Sequence, residues 1–204
     1  MNQNPTPPTL AVFDFDHTLI EGDSFWPFLC FAAGKPRVLQ ALAAALALYG
    51  WHRLCAKARA RTDARSFVKT QLVDRLLAGR ATASLAPAIG RLQKWRRWNE
   101  QVRQKLHDHH AQGHRILIIS GALDLYLPAL AAELPHDALI CTTIETSDGT
   151  ILSGLPHGNC VRARKAELLK EWLAANGPFA DTWGYGNLPH DLPMLEMLHK
   201  RIVV

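Results

Sequence analysis

Two carboxylates, Asp14 and Asp16, lie within the stretch LAVFDFDHTL that runs from Leu10 to Leu19. Leu10 to Phe13 and Phe15 are mostly apolar and read as a buried parallel strand. Alternation on a strand points residues two apart to the same side. Like charges are costly to bury together. A pair of carboxylates at the end of an apolar strand therefore calls for a compensating partner, most simply a divalent metal. The carboxyl ends of parallel strands are also where open α/β sheets bind ligands. His17-Thr18-Leu19 then turns the chain away. A bare Asp-x-Asp is equally an acidic turn, so the reading rests on what surrounds it.

Other residues of chemical interest follow in order. Ile118-Ile119-Ser120-Gly121-Ala122 puts a hydroxyl after an apolar run. There the hydroxyl and the following backbone N–H groups can bind an anionic oxygen. Asn159-Cys160-Val161-Arg162-Ala163-Arg164-Lys165 offers a cation. Arg164 competes with Lys165, but neighbours on a helix stand about 100° apart, so only one points inward. Gly184-Tyr185-Gly186-Asn187-Leu188-Pro189-His190-Asp191 adds an amide and a further carboxylate.

The run Asp14-Phe15-Asp16-His17-Thr18-Leu19 resembles the first motif of the haloacid dehalogenase (HAD) superfamily of phosphatases and phosphotransferases. The three later segments resemble its remaining motifs, and the Asn-Cys-x4-Lys spacing resembles the serine-phosphatase-like subfamily IB. The resemblance covers nearly the whole chain. It implies that Asp14 is the nucleophile that takes the phosphoryl group, and that Asp16 protonates the leaving oxygen and later activates water. Ser120 and Lys165 complete the implied catalytic set, Lys165 offsetting charge on Asp14 and the phosphate. Thr18, Gly121, Asp23 and His190 are implied phosphate- or substrate-binding residues, Asp23 sharing with Glu21 the place where related enzymes carry a substrate-sensing acid. The implied metal set is Asp14, the backbone carbonyl of Asp16, Asn187 and Asp191, suited to Mg²⁺.

The chain departs from the family pattern at three places. Asn187 stands where Asp is usual, which keeps an oxygen ligand but drops a charge. Leu188 stands where Ser is usual. Arg162 stands where relatives often have Gly, so the local backbone is expected to differ. The resemblance extends to phosphoserine phosphatases and to bacterial lipid-phosphate and phosphatidylglycerophosphate phosphatases. It implies a Mg²⁺-dependent phosphomonoester hydrolase that works through an aspartyl-phosphate. A lipid-linked or other anionic substrate is favoured, with phosphoserine or another small metabolite as the alternative. A degenerate domain that binds a phosphorylated ligand without turnover is the second alternative.

These residues need a scaffold to bring them together. The segment from about Asp23 to Gln112 is rich in Ala, Leu, Arg and Lys and predicts helices near 24–33, 36–49, 51–60, 62–78 and 84–111. Strands are predicted at 115–120, 138–143, 182–185 and 202–204, and a hairpin around Asp148-Gly149. Helices are predicted at 123–134, 161–176 and 191–199. This is a Rossmann-like α/β core with a parallel sheet and an all-helical cap inserted after the first strand. The expected division is a flexible leader at 1–9, a core at 10–22 and 111–204, and a cap at 23–110.

With 204 residues and 48% hydrophobic content, a sizeable core is expected. The leader lacks the basic start and apolar centre of a secretory signal. The closing Ile202-Val203-Val204 looks like the middle of a strand, so a few further residues are expected after it. Cys30, Cys55, Cys141 and Cys160 are widely spaced with no CxxC, which reads as a reduced cytoplasmic chain. From Lys35 to Asp108 there are sixteen Lys/Arg against four Asp/Glu, a net of +12; the remainder has seven against fourteen, a net of −7, and the sum is +5. The basic part suits an anionic substrate or peripheral contact with an anionic membrane face. No nucleic-acid motif accompanies it. Val38 to Tyr49 is apolar nearly all round, but shorter than the roughly 20 residues a bilayer span needs. The histidines at 107, 109, 110 and 114 read as a solvated helix end.

Overall fold

The computed structural model describes residues 7–55 and 63–204. In chain order the elements are β1 (Thr9–Phe13), α1 (Phe25–Ala33), α2 (Lys35–Cys55), α3 (Ala64–Leu76), a 3-10 turn (Thr82–Leu85), α4 (Ala86–Trp95) and α5 (Glu100–Ala111). There follow β2 (Arg115–Leu123), α6 (Leu127–Ala131), β3 (Ala138–Thr142), β4 (Thr146–Ser147), β5 (Thr150–Ile151), α7 (Arg162–Asn176), β6 (Asp181–Gly186), α8 (Leu192–Leu195) and β7 (Lys200–Val203). The chain divides into two compact units. The first holds the described residues up to Asp23, Arg96–Thr142 and Cys160–Val204; the second holds those of Ser24–Trp95 and Thr143–Asn159.

The first unit is built on a sheet of order β3-β2-β1-β6-β7, parallel throughout. Leu10, Ala11, Val12 and Phe13 of the central strand are wholly buried. Both faces of such a strand are covered, which is why it reads as an unbroken apolar run rather than an alternating one. On one face Leu10, Val12, Leu117 and Ile119 pack with Leu169 of α7 and with Met194, Leu195 and Leu198. On the other, Phe13 stacks on Tyr185 with ring centroids 4.4 Å apart, beside His109 of α5. The α/β class, the parallel sheet and the insertion after β1 are as expected.

The second unit buries Phe28, Leu29, Leu72, Val73, Leu77, Leu85 and Leu92 among its helices. Asp63 caps α3 by accepting from Ser66 N at 3.2 Å. Within this unit Lys69 is buried, its Nζ donating to Asn159 Oδ1 at 2.8 Å. Asp148 and Gly149, with φ of 49° and 73°, make the tight turn of the predicted hairpin. That hairpin is tied to the turn after α3, where Gly79 N donates to Ile151 O and Ile151 N to Arg80 O. It therefore belongs to the second unit, which is not all helical.

Several expected boundaries differ. The helix expected over 84–111 is two helices, because Leu19–Glu21 hydrogen-bonds to Arg97–Asn99 through Glu21 N to Arg97 O and Asn99 N to Leu19 O. Asn99 then caps α5 by accepting from Val102 N. α5 buries Val102, Leu106 and His109 in the first unit, so the division falls at Arg96 rather than near 111. Gly50 does not break α2, which runs on to Cys55. The remainder of the helix expected to 60, and residues 1–6 of the leader, lie outside the described residues. β1 already includes Thr9, so the leader does not extend that far. β2 continues to Leu123 with a register irregularity after Ile119, and α6 and α8 are single short turns.

Candidate active site

All the strands of the main sheet run the same way, so the segments after β1, β2 and β6 share one end of the sheet. Asp14 follows Phe13 directly, and its N–H donates to Tyr185 O of β6 at 2.9 Å. That bond extends the strand by one residue and fixes where the carboxylate leaves the backbone. The chain then folds back sharply. His17 takes a φ of 60° and its N–H reaches Gly22 O at 3.0 Å, while Phe15 O accepts from the N–H groups of Leu19 and Ile20. The fold-back brings Thr18 beneath Asp14, and Thr18 Oγ1 donates to Asp14 Oδ2 at 2.9 Å.

The other carboxylate oxygen of Asp14 accepts from Lys165 Nζ at 2.5 Å. The same ammonium donates to Asp191 Oδ1 at 2.6 Å. All three side chains are almost wholly buried. Asp191 Oδ2 accepts from Asn187 N at 2.9 Å, and Asn187 Nδ2 donates to the Asp16 carbonyl at 3.1 Å. Gly186 makes room for this arrangement, since a Cβ there would stand 2.8 Å from Asp191 Oδ2. Arg164 turns away to Glu167 at 3.1 Å, so Lys165 is the inward cation of the two. It sits on the first turn of α7, which begins with Arg162 at a φ of 52°. The backbone was expected to differ here because relatives often have Gly; instead Arg162 adopts the left-handed conformation that glycine favours.

One ammonium stands against two buried carboxylates. Burial pushes Asp14 up to about 6, Lys165 opposes the rise and Asp191 adds to it. For Lys165, burial works to lower the pKa, but Asp14 and Asp191 outweigh it and hold the group above its ordinary value. The cluster thus keeps its cation. Its remaining oxygen donors are the two carboxylates, the Asp16 carbonyl and the side-chain amide of Asn187. These are hard oxygen ligands with excess negative charge, and they fit a small divalent cation. Among the described residues no three His, Cys, Asp or Glu side chains form a metal group, so such a site depends on the backbone carbonyl and the amide.

Ser120 is buried near the end of β2, and its Oγ accepts from Ala122 N at 3.1 Å. Gly121 O accepts from Thr142 Oγ1 at 2.9 Å, and Thr142 Oγ1 in turn accepts from Cys160 N at 3.0 Å. Hydrogen bonds therefore join Asp14, Thr18, Lys165, Asp191, Asn187 and the Asp16 carbonyl into one cluster. Ser120 and Gly121 stand at the same end of the sheet. Asp23, the last residue of its stretch in the first unit, and His190, directly before Asp191, are half-buried; their nearness to the cluster is one of sequence.

Three participants carried weaker signals. Thr142, a hydroxyl closing an apolar strand, ties the end of β3 to Gly121 and Cys160. Gly186 was visible only as part of a motif. His109 is not solvated as expected but 5% exposed, with Nε2 2.9 Å from Tyr185 Oη and Nδ1 2.7 Å from His114 Nδ1. Burial, then the neighbouring imidazole of His114, pushes His109 down to about 4.

Similar proteins identify the family. The family model described as haloacid dehalogenase-like hydrolase matches residues 11–196. The chain is 33% identical to protein CicA of Caulobacter vibrioides, across 95% of this chain and 85% of that one. It is 29% identical to a phosphoserine phosphatase of Streptomyces coelicolor, across 91% of this chain and 41% of that one. Its fold matches a Bordetella pertussis Tohama I protein of unknown function with a TM-score of 0.73 at 23% identity, covering 97% of this chain and 90% of that one. It also matches a substrate-bound phosphoserine phosphatase with a TM-score of 0.62 at 17% identity, covering 98% and 87%. With its family match running from β1 past α8, the chain belongs to the haloacid dehalogenase-like hydrolases.

Proposed function

We propose that this hydrolase is a phosphatase that cleaves an anionic phosphomonoester through an aspartyl-phosphate at Asp14. The observation that carries the reading is the Asp14 carboxylate itself. It is buried at the end of β1 and held from both sides, by Lys165 at 2.5 Å and Thr18 at 2.9 Å. A carboxylate needs no proton removal to attack, so it is a nucleophile as it stands. Similarity to phosphoserine phosphatases supports phosphatase chemistry.

In the first step an Asp14 oxygen bonds to phosphorus and the bond to the leaving oxygen breaks. The Asp16 carboxyl gives its proton to that oxygen. In the second step Asp16 takes a proton from water, the hydroxide bonds to phosphorus, and the bond to Asp14 breaks to release phosphate. Ser120 Oγ already accepts from Ala122 N–H, which leaves its hydroxyl proton for a phosphoryl oxygen. Lys165 keeps charge in balance as negative charge moves from Asp14 to the phosphoryl group. Asp14, Asp191, the Asp16 carbonyl and Asn187 would hold Mg²⁺, which when bound stabilises negative charge on the phosphoryl oxygens.

The basic balance of the second unit supports an anionic carrier for the phosphate, lipid-linked esters among them. The relatives named phosphoserine phosphatase support phosphoserine as a second reading. The test is phosphate release with Mg²⁺ from an aryl phosphate, phosphoserine, lysophosphatidic acid and phosphatidylglycerol phosphate. Asp14→Asn should abolish release from every ester. Turnover retained in Asp14→Asn would refute the nucleophile, and the ranking of esters decides the carrier.

A further inference from the structure

α2 carries apolar side chains on both its inward and its outward face. Val38, Ala41 and Ala45 are turned inward, 4, 7 and 0% exposed, with Leu42, Leu48 and Tyr49 half-buried, Tyr49 against Phe67. Four further large apolar side chains point out, with Leu39 at 66%, Leu46 at 52%, Trp51 at 65% and Leu54 at 85% exposure. Ala43 and Ala47 are exposed as well. Apart from the adjacent pair Leu46 and Ala47, these six residues follow one another at steps of three and four, so at 100° per residue they lie in a broad stripe on one side of the helix. Packing inside the second unit accounts for Val38, Ala41 and Ala45. It does not account for leucines and a tryptophan facing outward, because a contiguous apolar patch of this kind marks an interaction surface.

Charge selects the occupant. No Asp or Glu occurs between Asp23 and Asp63, while Lys35, Arg37, Arg53, Lys57, Arg59 and Arg61 all fall there. On the helix, Lys35 and Arg53 border one edge of the stripe and Arg37 the other, by the same 100° step. A second copy of the chain packed stripe to stripe would set these cations against one another in either orientation, with no carboxylate on the helix to answer them. A sheet of anionic headgroups answers all of them. Among the described residues no single helix is both long and apolar enough to cross a membrane; α1 and α2 reach that measure only together, across a bend of 118°, which disfavours a straight crossing.

We propose that α2 docks on an anionic lipid surface, lying in its plane. The stripe enters the boundary between headgroups and acyl chains, Trp51 anchors it there, and Lys35, Arg37 and Arg53 reach the lipid phosphates. This docking is independent of the hydrolytic reaction and of which ester is cleaved.

The experiment is co-sedimentation of the full chain with phosphatidylcholine vesicles, with and without phosphatidylglycerol. Binding should require phosphatidylglycerol and weaken as salt is raised. The double variant Leu46→Ser/Leu54→Ser should bind about tenfold more weakly or worse, since two apolar side chains no longer leave water. Its circular dichroism and its release of phosphate from a soluble aryl ester should stay unchanged. As a second measurement, brominated lipid should quench the natural chain more than Trp51→Phe. Absence of binding to anionic vesicles, or equal binding by the double variant, would overturn the proposal. So would a dimer in light scattering that the double variant converts to monomer, because the stripe would then be occupied by a second copy.

Discussion

Replacing Lys165 with Met is the most demanding trial of the site. Met keeps an unbranched chain of similar length and removes only the ammonium. Asp14 and Asp191 lose their common partner, each having held it at 2.5 and 2.6 Å. Removing one partner of a buried ion pair costs about 3–5 kcal/mol, because the charge left behind is uncompensated. For a chain of this size 1 kcal/mol moves the melting temperature by roughly 2–4 °C, so a fall of about 6–20 °C is expected. Thermal unfolding by near-ultraviolet circular dichroism with chelator present reads this directly. Adding Mg²⁺ should restore part of the loss, since a cation then sits among the same carboxylates. Lys165→Met/Asp191→Asn should melt higher than Lys165→Met in chelator, having one buried charge fewer. Turnover of the single variant should fall about 10²–10³-fold, the scale for losing one preorganised electrostatic contact. A melting temperature in chelator within about 2 °C of the parent would refute the account of Lys165 as the compensating charge.

Asp16→Ala should slow turnover by about 10²–10⁴-fold, the range for lost general acid–base catalysis; near-normal rates would assign the proton to another group. His109 is held neutral, with a folded pKa near 4 against about 6.5 unfolded. The unfolded chain thus binds the extra proton first, and stability should fall as pH drops from about 6.5 to about 4, by up to about 3 kcal/mol. Urea unfolding across that window should show a shallower slope for His109→Gln, and identical slopes would contradict the assignment. Arg162→Gly should stabilise by about 0.5–1 kcal/mol, the relief of a left-handed residue less the added chain entropy of glycine. A lower urea midpoint for this variant would mean that contacts of the Arg162 side chain outweigh its backbone strain.

The order of strands and helices was legible in large part because β1 and β2 are buried on both faces and announce themselves as apolar runs, whereas β6, with the sequence DTWGYG, was legible through the motif that follows it. The cluster around Asp14 was legible because most of its members stand at or beside the ends of those strands. What stayed hidden depended on pairing between distant segments. Nothing near Trp98 tells that Arg97 and Asn99 will bond to Glu21 and Leu19, so 84–111 read as one helix. The hairpin at Asp148-Gly149 was visible locally, but its attachment to Gly79 and Arg80 was not, and the second unit was taken to be all helical. His109 shows the same limit: its burial comes from Phe13, Trp183 and Tyr185, which are far from it in sequence. For Lys165 against Arg164, helical geometry required a choice, and the carboxylates of Glu167 and Glu171 made it by drawing Arg164 outward.

The order of strands in the sheet also constrains how the chain assembles during synthesis. Thr9 pairs with Asp181, and Phe13 with Tyr185, so the central strand gains its second neighbour only after synthesis has passed Tyr185, about 170 residues later. Until then one edge of an entirely apolar strand lacks its permanent mate. The helices of Ser24–Trp95 contact mainly one another and can settle while the ribosome is still translating the rest. Sheets closed by contacts this distant in sequence fold slowly and are exposed to aggregation in the interval. Nascent chains stopped before Asp181 should therefore be the ones that chaperones hold, and those extended past Val203 the ones they release.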